Sequence, residues 1–150
     1  MAGTNAVAAK AALRTLLAAD SGFAGIQVKY SAPRDMADEA VYALNDIEGP
    51  VTLAAFRGSG ANPAIKRAET LVGGWVIRVR GKGKTVEENE TRACVLGAAF
   101  EGVVARNTAL GGLTGLKLVT ISHFGMSTDS DDEGQTTTIV YTLSYESHNE

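Results

Sequence analysis

One segment constrains the fold most, because it joins an alternating strand directly to a helix with clear start signals. The large apolar residues Trp75, Ile77 and Val79 fall at every second position, which is the period of a half-buried strand. Thr85 and Glu88 then have the spacing of a capping box at a helix start. The apolar residues that follow recur at three- and four-residue spacings and define one buried helix face: Ala93, Leu96, Gly97, Phe100, Val103 and Val104.

The rest of the chain supplies a second helix and further strands. An apolar stripe predicts a helix over Asn5–Ala19. Alternation and turn residues predict the remaining strands: Ile26–Tyr30, Glu39–Leu44, Pro50–Phe56, Leu116–Phe124 and Gln135–Glu146. Asn45-Asp46 and the acidic segment Asp129–Glu133 are predicted turns, Arg57–Pro63 a loop with a basic end at residues 65–67, and Gly73-Gly74 a bulge.

This order predicts an α+β fold in which two helices pack on one face of a mostly antiparallel sheet. The residues expected in its core are Trp75, Ile77, Phe100, Tyr141 and Leu143. A chain of 150 residues is the usual size of one domain, so we expect residues 1–150 to form a single α+β domain.

Composition excludes several classes of protein. Hydrophobic residues make up 45% and charged residues 21%, as in an ordinary globular domain, and the net charge of −3 disfavours nucleic acid as the main ligand. One cysteine allows neither an internal disulfide nor a cysteine zinc site. The start has no signal-peptide pattern, and no apolar run approaches the ~18–20 residues of a membrane span. We therefore expect synthesis in the cytoplasm and no membrane partner.

The loop Gly81–Thr85 resembles a phosphate-binding loop, since it follows a strand, opens a helix and ends in Gly-Lys-Thr. That motif needs a glycine five residues before Gly83, and Arg78 stands there. We therefore interpret the loop as a strand-to-helix connection with solvated lysines. Gly58-Ser59-Gly60 lacks the third glycine of a dinucleotide fingerprint, because Pro63 occupies its position.

The acidic segment begins like a calcium loop, with oxygen ligands at alternate positions and Gly134 sixth. The twelfth position should be glutamate but is Val140, so an exposed acidic turn is the better interpretation. His123 and His148 have no second ligand at regular spacing, and Cys94 is expected to be a buried, inert thiol. We therefore expect no catalytic site, no cofactor and no metal.

The layout resembles the tail terminator proteins of long-tailed bacteriophages and related tail-like particles. The features that carry the resemblance are the opening helix with Ile26–Tyr30, the strand Trp75–Arg80 leading into the helix Thr85–Asn107, the strand Leu116–Phe124, and the Thr-rich strand Thr136–Glu146. The resemblance covers residues 5 to 146 and is one of layout, without a diagnostic short motif.

The resemblance implies a virion protein of the tail or neck that forms a homo-oligomeric ring, typically a hexamer, on the last ring of tail-tube subunits. Such a ring stops tube polymerisation and offers a surface to a neck or head-completion protein, while DNA passes through its lumen. The family has no catalytic residues or cofactors. Three alternatives stay open: another neck or head-completion subunit, a small ligand-binding α+β domain using Gly81–Thr85, and a nucleic-acid-binding module using residues 78–84.

Ring formation through strand edges and loops suggests a set of contact residues. The closing strand carries a polar row with few charges to block pairing with a neighbouring chain. The acidic turn either repels DNA at the lumen, faces solvent, or pairs with basic residues of the next subunit. The candidate oligomer or lumen contacts are Arg57, Lys66, Arg67, Asp129, Asp131, Asp132, Glu133, Thr138 and Thr142.

Overall fold

The computed structural model describes residues 3–57 and 63–149. Its helices are α1 (Ala6–Ala19) and α2 (Val86–Arg106), with a short 3-10 turn at Ser21–Phe23. Its strands are β1 (Gln27–Lys29), β2 (Glu39–Glu48), β3 (Val51–Arg57), β4 (Pro63–Gly81), β5 (Leu116–Asp131) and β6 (Gly134–Asn149). The helices and strands agree in type with the predictions, whereas β2, β4, β5 and β6 are each longer than predicted and β1 is shorter.

All six strands form one sheet in the order β1-β2-β4-β6-β5, and β3 pairs with the early part of β4. Every pairing is antiparallel except that of β1 with β2. The buried residues of both helices join those of the sheet in one hydrophobic cluster. The predicted α+β fold, with two helices on one face of a mostly antiparallel sheet, is confirmed.

The core is centred on aromatic residues contributed by the sheet and by α2. Trp75, Phe100 and Tyr141 are 0–1% exposed, and the Phe100 ring stacks on Tyr141 with centroids 4.9 Å apart. Trp75 Nε1 donates a hydrogen bond to Tyr145 Oη at 2.8 Å, and burial raises the pKa of Tyr145 to about 12. Ile77 and Leu143 are also fully buried, so the predicted core is confirmed.

The capping box predicted for α2 is also present. Thr85 Oγ1 accepts from Glu88 N at 3.1 Å, and Thr85 N donates to Glu88 Oε1 at 3.3 Å. All six residues predicted for the buried face of this helix are buried. The helix also buries Asn89, whose amide donates to Val79 O and to Thr137 Oγ1.

Strand β2 does not turn at Asn45-Asp46 as predicted. It continues to Glu48 through an irregular stretch, since Ala43 pairs with Trp75 while Ile47 pairs with Gly73. The extra residues therefore lie in β2, opposite the glycine pair that was predicted to bulge. A Cβ on Gly74 would lie 2.6 Å from Leu44 Cδ1, so glycine makes room for the bulged strand. Lys10, which is buried, donates a hydrogen bond from Nζ to the Leu44 carbonyl of this bulge at 3.1 Å.

Strands β4 and β5 extend into segments predicted as loop and turn. Lys66 and Arg67 lie within β4, and Asp129 and Asp131 lie within β5. The chain therefore turns only at residues 132–133, between Asp131 and its partner Gly134. The predicted loop at 57–63 is bounded by the ends of β3 and β4, and residues 58–62 lie outside the described residues.

Two glycines of α2 should respond oppositely to alanine. A Cβ on Gly97 would lie 2.8 Å from the Tyr141 hydroxyl, which itself donates to Glu101 Oε2 at 2.8 Å. Gly97→Ala should therefore lower the free energy of unfolding by about 1–3 kcal/mol. A Cβ on Gly102 would meet only the flexible Arg106 side chain, at 3.0 Å, so Gly102→Ala should raise it by about 0.5–1 kcal/mol. Urea unfolding measures both, and equal effects would contradict close packing of α2 at Gly97.

Candidate assembly surfaces

The acidic turn lies at the tip of the β5–β6 hairpin and is bound to a basic residue of its own chain. The Arg80 guanidinium lies 3.4 Å from Asp131 Oδ2 and 3.2 Å from Glu133 Oε2. Asp131 Oδ1 also accepts from Glu133 N at 2.8 Å. That backbone hydrogen bond, followed by the charge of Arg80, lowers the pKa of Asp131. Asp129 and Asp132 are exposed, so the tip is an ordered anionic surface.

The basic residues that were candidates to pair with the acidic turn of a neighbouring copy lie at the opposite end of the long strand β4. Arg67 and Arg80 are 13 residues apart on that strand, a distance of roughly 43 Å. The acidic turn and Arg67 therefore cannot meet within one chain, and a contact between them needs a second copy. Lys66 is exposed. Arg57 ends β3, and its side chain lies outside the described residues.

Arg67 belongs to a buried polar cluster that the sequence did not reveal. Its guanidinium contacts Glu69 Oε2 at 2.9–3.0 Å, and the Glu69 side chain has no exposed surface. The other carboxylate oxygen accepts from Thr4 Oγ1 at 3.0 Å, from Asn5 N at 2.8 Å and from Ser147 Oγ at 3.2 Å.

These contacts determine the charge state of Glu69. Burial alone would raise the pKa of this carboxyl, but the hydrogen bonds from Asn5, Arg67 and Thr4 outweigh it, so the pKa is lowered. The ionised carboxylate ties the start of α1 to β4 and β6.

The predicted pairing of the closing strand with a neighbouring chain is wrong as a strand-edge contact. Strand β6 lies between β4 and β5 and is paired along both edges. Thr138 and Thr142 lie on the sheet face away from the helices and are partly exposed. They stay candidates for side-chain contacts. Within residues 3–57 and 63–149, the strand edges without a partner strand belong to β1, the end of β2, β3 and β5.

The loop between β4 and α2 has the form of a plain connection. The capping box occupies backbone groups that would otherwise face a phosphate, and Gly83 has a φ of 69° at the turn. Among the basic residues near this loop, Arg80 is held by the acidic turn and Arg78 reaches the Ala37 carbonyl at 3.4 Å. This leaves Lys82 and Lys84 exposed, a narrow basis for nucleic-acid binding.

A groove of 450 Å³ beside this loop was the remaining candidate for a small ligand. Arg92, on its wall, pairs with Glu39. The buried Asn89 Oδ1 has no hydrogen-bond partner. A Cβ on Gly81 would lie 2.4 Å from this oxygen, so the oxygen packs closely against the Gly81 backbone. Within residues 3–57 and 63–149, no group of three His, Cys, Asp or Glu side chains is placed to hold a metal ion.

Cys94 is exposed, which corrects the prediction of a buried thiol. It lies on the flank of α2 rather than on its buried face, and its sulfur is 4.0 Å from the Met126 sulfur of β5. Across the described part of the chain, neither helix is long and apolar enough to cross a membrane.

The fold places the protein among small α+β chains, and comparison with known proteins adds a more specific likeness. No family model and no curated protein matches the chain. Among solved structures, it is similar to a chain described as "Virion of native gene transfer agent (GTA) particle". The TM-score is 0.57 at 14% sequence identity, over 97% of this chain and 100% of that chain. The two chains therefore share a fold along nearly their whole lengths.

Proposed function

We propose that this protein is a structural virion subunit of a phage-like particle, and specifically a tail terminator. It forms a ring, expected to be a hexamer, that caps the tail tube, ends tube polymerisation and offers a surface for head or neck attachment. The observation that carries the proposal is the shared fold with a chain of a gene transfer agent virion, which accounts for 100% of that chain.

The surfaces of the chain support a role in assembly. Large apolar side chains are exposed on the sheet and on α2, including Leu53 at 55% and Phe124 at 49%. Contiguous exposed apolar surface is typical of protein contacts, and Phe124 and Met126 are neighbours on one face of β5. The acidic hairpin tip fits a position at the lumen, where like charge would keep DNA from adhering during passage. The partners are then further copies of this chain, the tail tube protein, and a neck or head-completion protein.

Solution mass tests the ring. Light scattering and negative-stain images of the purified protein, alone and mixed with the tail tube protein of the same virus, should show a closed ring. Adding the protein to polymerising tube protein should stop tube growth, with rings at tube ends. A protein that stays monomeric at high concentration and with tube protein would contradict the proposal. Rings that leave tube length unchanged would favour the neck or head-completion alternative.

A further inference from the structure

Two long strand edges of this fold have no partner in the part of the chain that the structure describes. Strand β5 pairs only with β6, and β3 pairs only with β4. The loop after α2 covers the first part of β5, where Val119 N donates to the Thr108 carbonyl at 2.8 Å. From Thr120 to Asp131, the described structure places no strand along this edge.

Neither edge carries the charged residues or proline that usually prevent strand pairing between chains. Within residues 120–131, the β5 edge has a register irregularity between Ile121 and His123, which lies before Phe124 and Met126. Residues 118–128 of β5 include no Lys, Arg, Asp, Glu or Pro, and residues 51–56 of β3 include none either. Monomeric proteins commonly protect open edges with such residues. Two open edges without charged residues or proline on one chain indicate that both are covered in an assembly.

Both edges also expose apolar side chains on the same face of the sheet. Phe124 and Met126 of β5 are 49% and 41% exposed, and Val51 and Leu53 of β3 are 41% and 55% exposed. Phe124 lies opposite the buried Tyr141, and Val51 lies opposite the buried Glu69. All four side chains therefore lie on the helix-covered face. Met126 contacts Cys94 of α2 there, but all four remain at least 41% exposed.

The directions of the strands fit a contact between identical copies. Strand β3 is antiparallel to β4, β4 to β6, and β6 to β5. Strand β5 therefore runs parallel to β4, and β3 runs opposite to both. Two copies placed side by side in one orientation bring β3 of one antiparallel to β5 of the next, and antiparallel pairing is slightly the more stable kind.

We propose that β3 of one copy adds to the β5 edge of the next, with Val51 opposite Met126 and Leu53 opposite Phe124. This register places both exposed apolar pairs in contact on one face. Because the two edges differ, the contact is head-to-tail and repeats from copy to copy, as a ring requires. The inference rests on the proposed function, and it assigns the ring contact to β5 and β3.

Disulfide cross-linking tests the register. Opposite residues of antiparallel strands have Cα atoms about 4.5–5.5 Å apart, within the range that a disulfide spans. In a Cys94→Ser background, the pair Leu53→Cys and Phe124→Cys should give covalent multimers under mild oxidation. Mixing the two single-cysteine chains should give dimers only. Leu53→Cys with Val95→Cys is the matched control, since Val95 is 54% exposed but on α2, and it should give no multimers.

A charge exchange tests the same contact without oxidation. Met126→Lys and Val51→Glu should each weaken assembly about tenfold or more, because an unpaired charge enters the contact. The double variant should restore assembly, and Val95→Lys should leave it unchanged. Thermal unfolding confirms that each variant is folded.

The outcomes separate the two proposals. Rings that form without the Leu53–Phe124 cross-link, and that tolerate Met126→Lys, overturn the strand pairing and leave the terminator proposal standing. Cross-linked dimers or open chains without rings support the strand pairing and overturn the ring. A chain that is monomeric under all conditions overturns both.

Discussion

Replacing Phe100 with alanine is expected to lower the free energy of unfolding by about 3–5 kcal/mol. The side chain is fully buried, stacks on Tyr141 at 4.9 Å and lies 6.1 Å from the Trp75 ring. Removing the ring leaves a cavity between α2 and the sheet, framed by the rings of Trp75 and Tyr141. Urea unfolding followed by circular dichroism and by fluorescence of the single tryptophan measures the change.

Phe124→Ala is the matched control for this variant. Phe124 also contacts Tyr141, with ring centroids 5.5 Å apart, but half of its side chain is exposed. Its replacement should cost less than half as much at concentrations where both variants are monomeric. A loss under about 1 kcal/mol for Phe100→Ala would mean that α2 does not pack on the sheet through this face.

Glu69→Gln should lower the free energy of unfolding by about 2–3 kcal/mol at neutral pH. Both carboxylate oxygens accept hydrogen bonds, one from Arg67 and the other from Thr4, Asn5 and Ser147. An amide keeps one acceptor but turns a donor toward the guanidinium, so Arg67 loses its ion pair. Chemical unfolding measures the loss, and amide hydrogen exchange should show that the start of α1 opens first.

The effect of this variant should depend on pH in a defined direction. The pKa of Glu69 in the folded protein is lowered from its ordinary value of 4.5, so the folded state favours the ionised form. Its contribution is complete above pH 4.5 and is lost as the pH falls through the lowered pKa. The stability difference between the two proteins should therefore be constant near neutral pH and shrink in acid. A difference that grows in acid would contradict an ionised Glu69.

The sequence predicted the elements whose signals are local. The capping box at Thr85 and the apolar stripe through Phe100 lie within one helix, and the structure has both. The end of β5 was missed because no apolar residue follows Met126 within this strand, and residues 127–131 are all polar. That segment is a strand because β6 pairs with it, and pairing between segments leaves no local pattern.

The assembly surfaces were harder to predict for the same reason. The polar row on β6 suggested an open edge, but the order of strands in the sheet follows from contacts between segments far apart in sequence. Glu69 was missed because glutamate is rarely buried, and its partner Thr4 is 65 residues away. The prediction for Cys94 was wrong because Cys94 follows the buried Ala93 directly. The apolar stripe of α2 alone does not define where the buried face of the helix ends.

The central position of β6 has a consequence for the order of events during synthesis. Strand β6 follows the other described elements in sequence and yet separates β4 from β5 in the sheet. While the chain emerges from the ribosome, β5 has no partner strand until β6 is complete. The edge of β4 that pairs with β6 is also unpaired until then. Domains fold as units once their segments are available, and long-range pairing is slow. The edge of β5 that we assign to a neighbouring copy is therefore held in place only after the subunit's own sheet has closed, so folding precedes assembly.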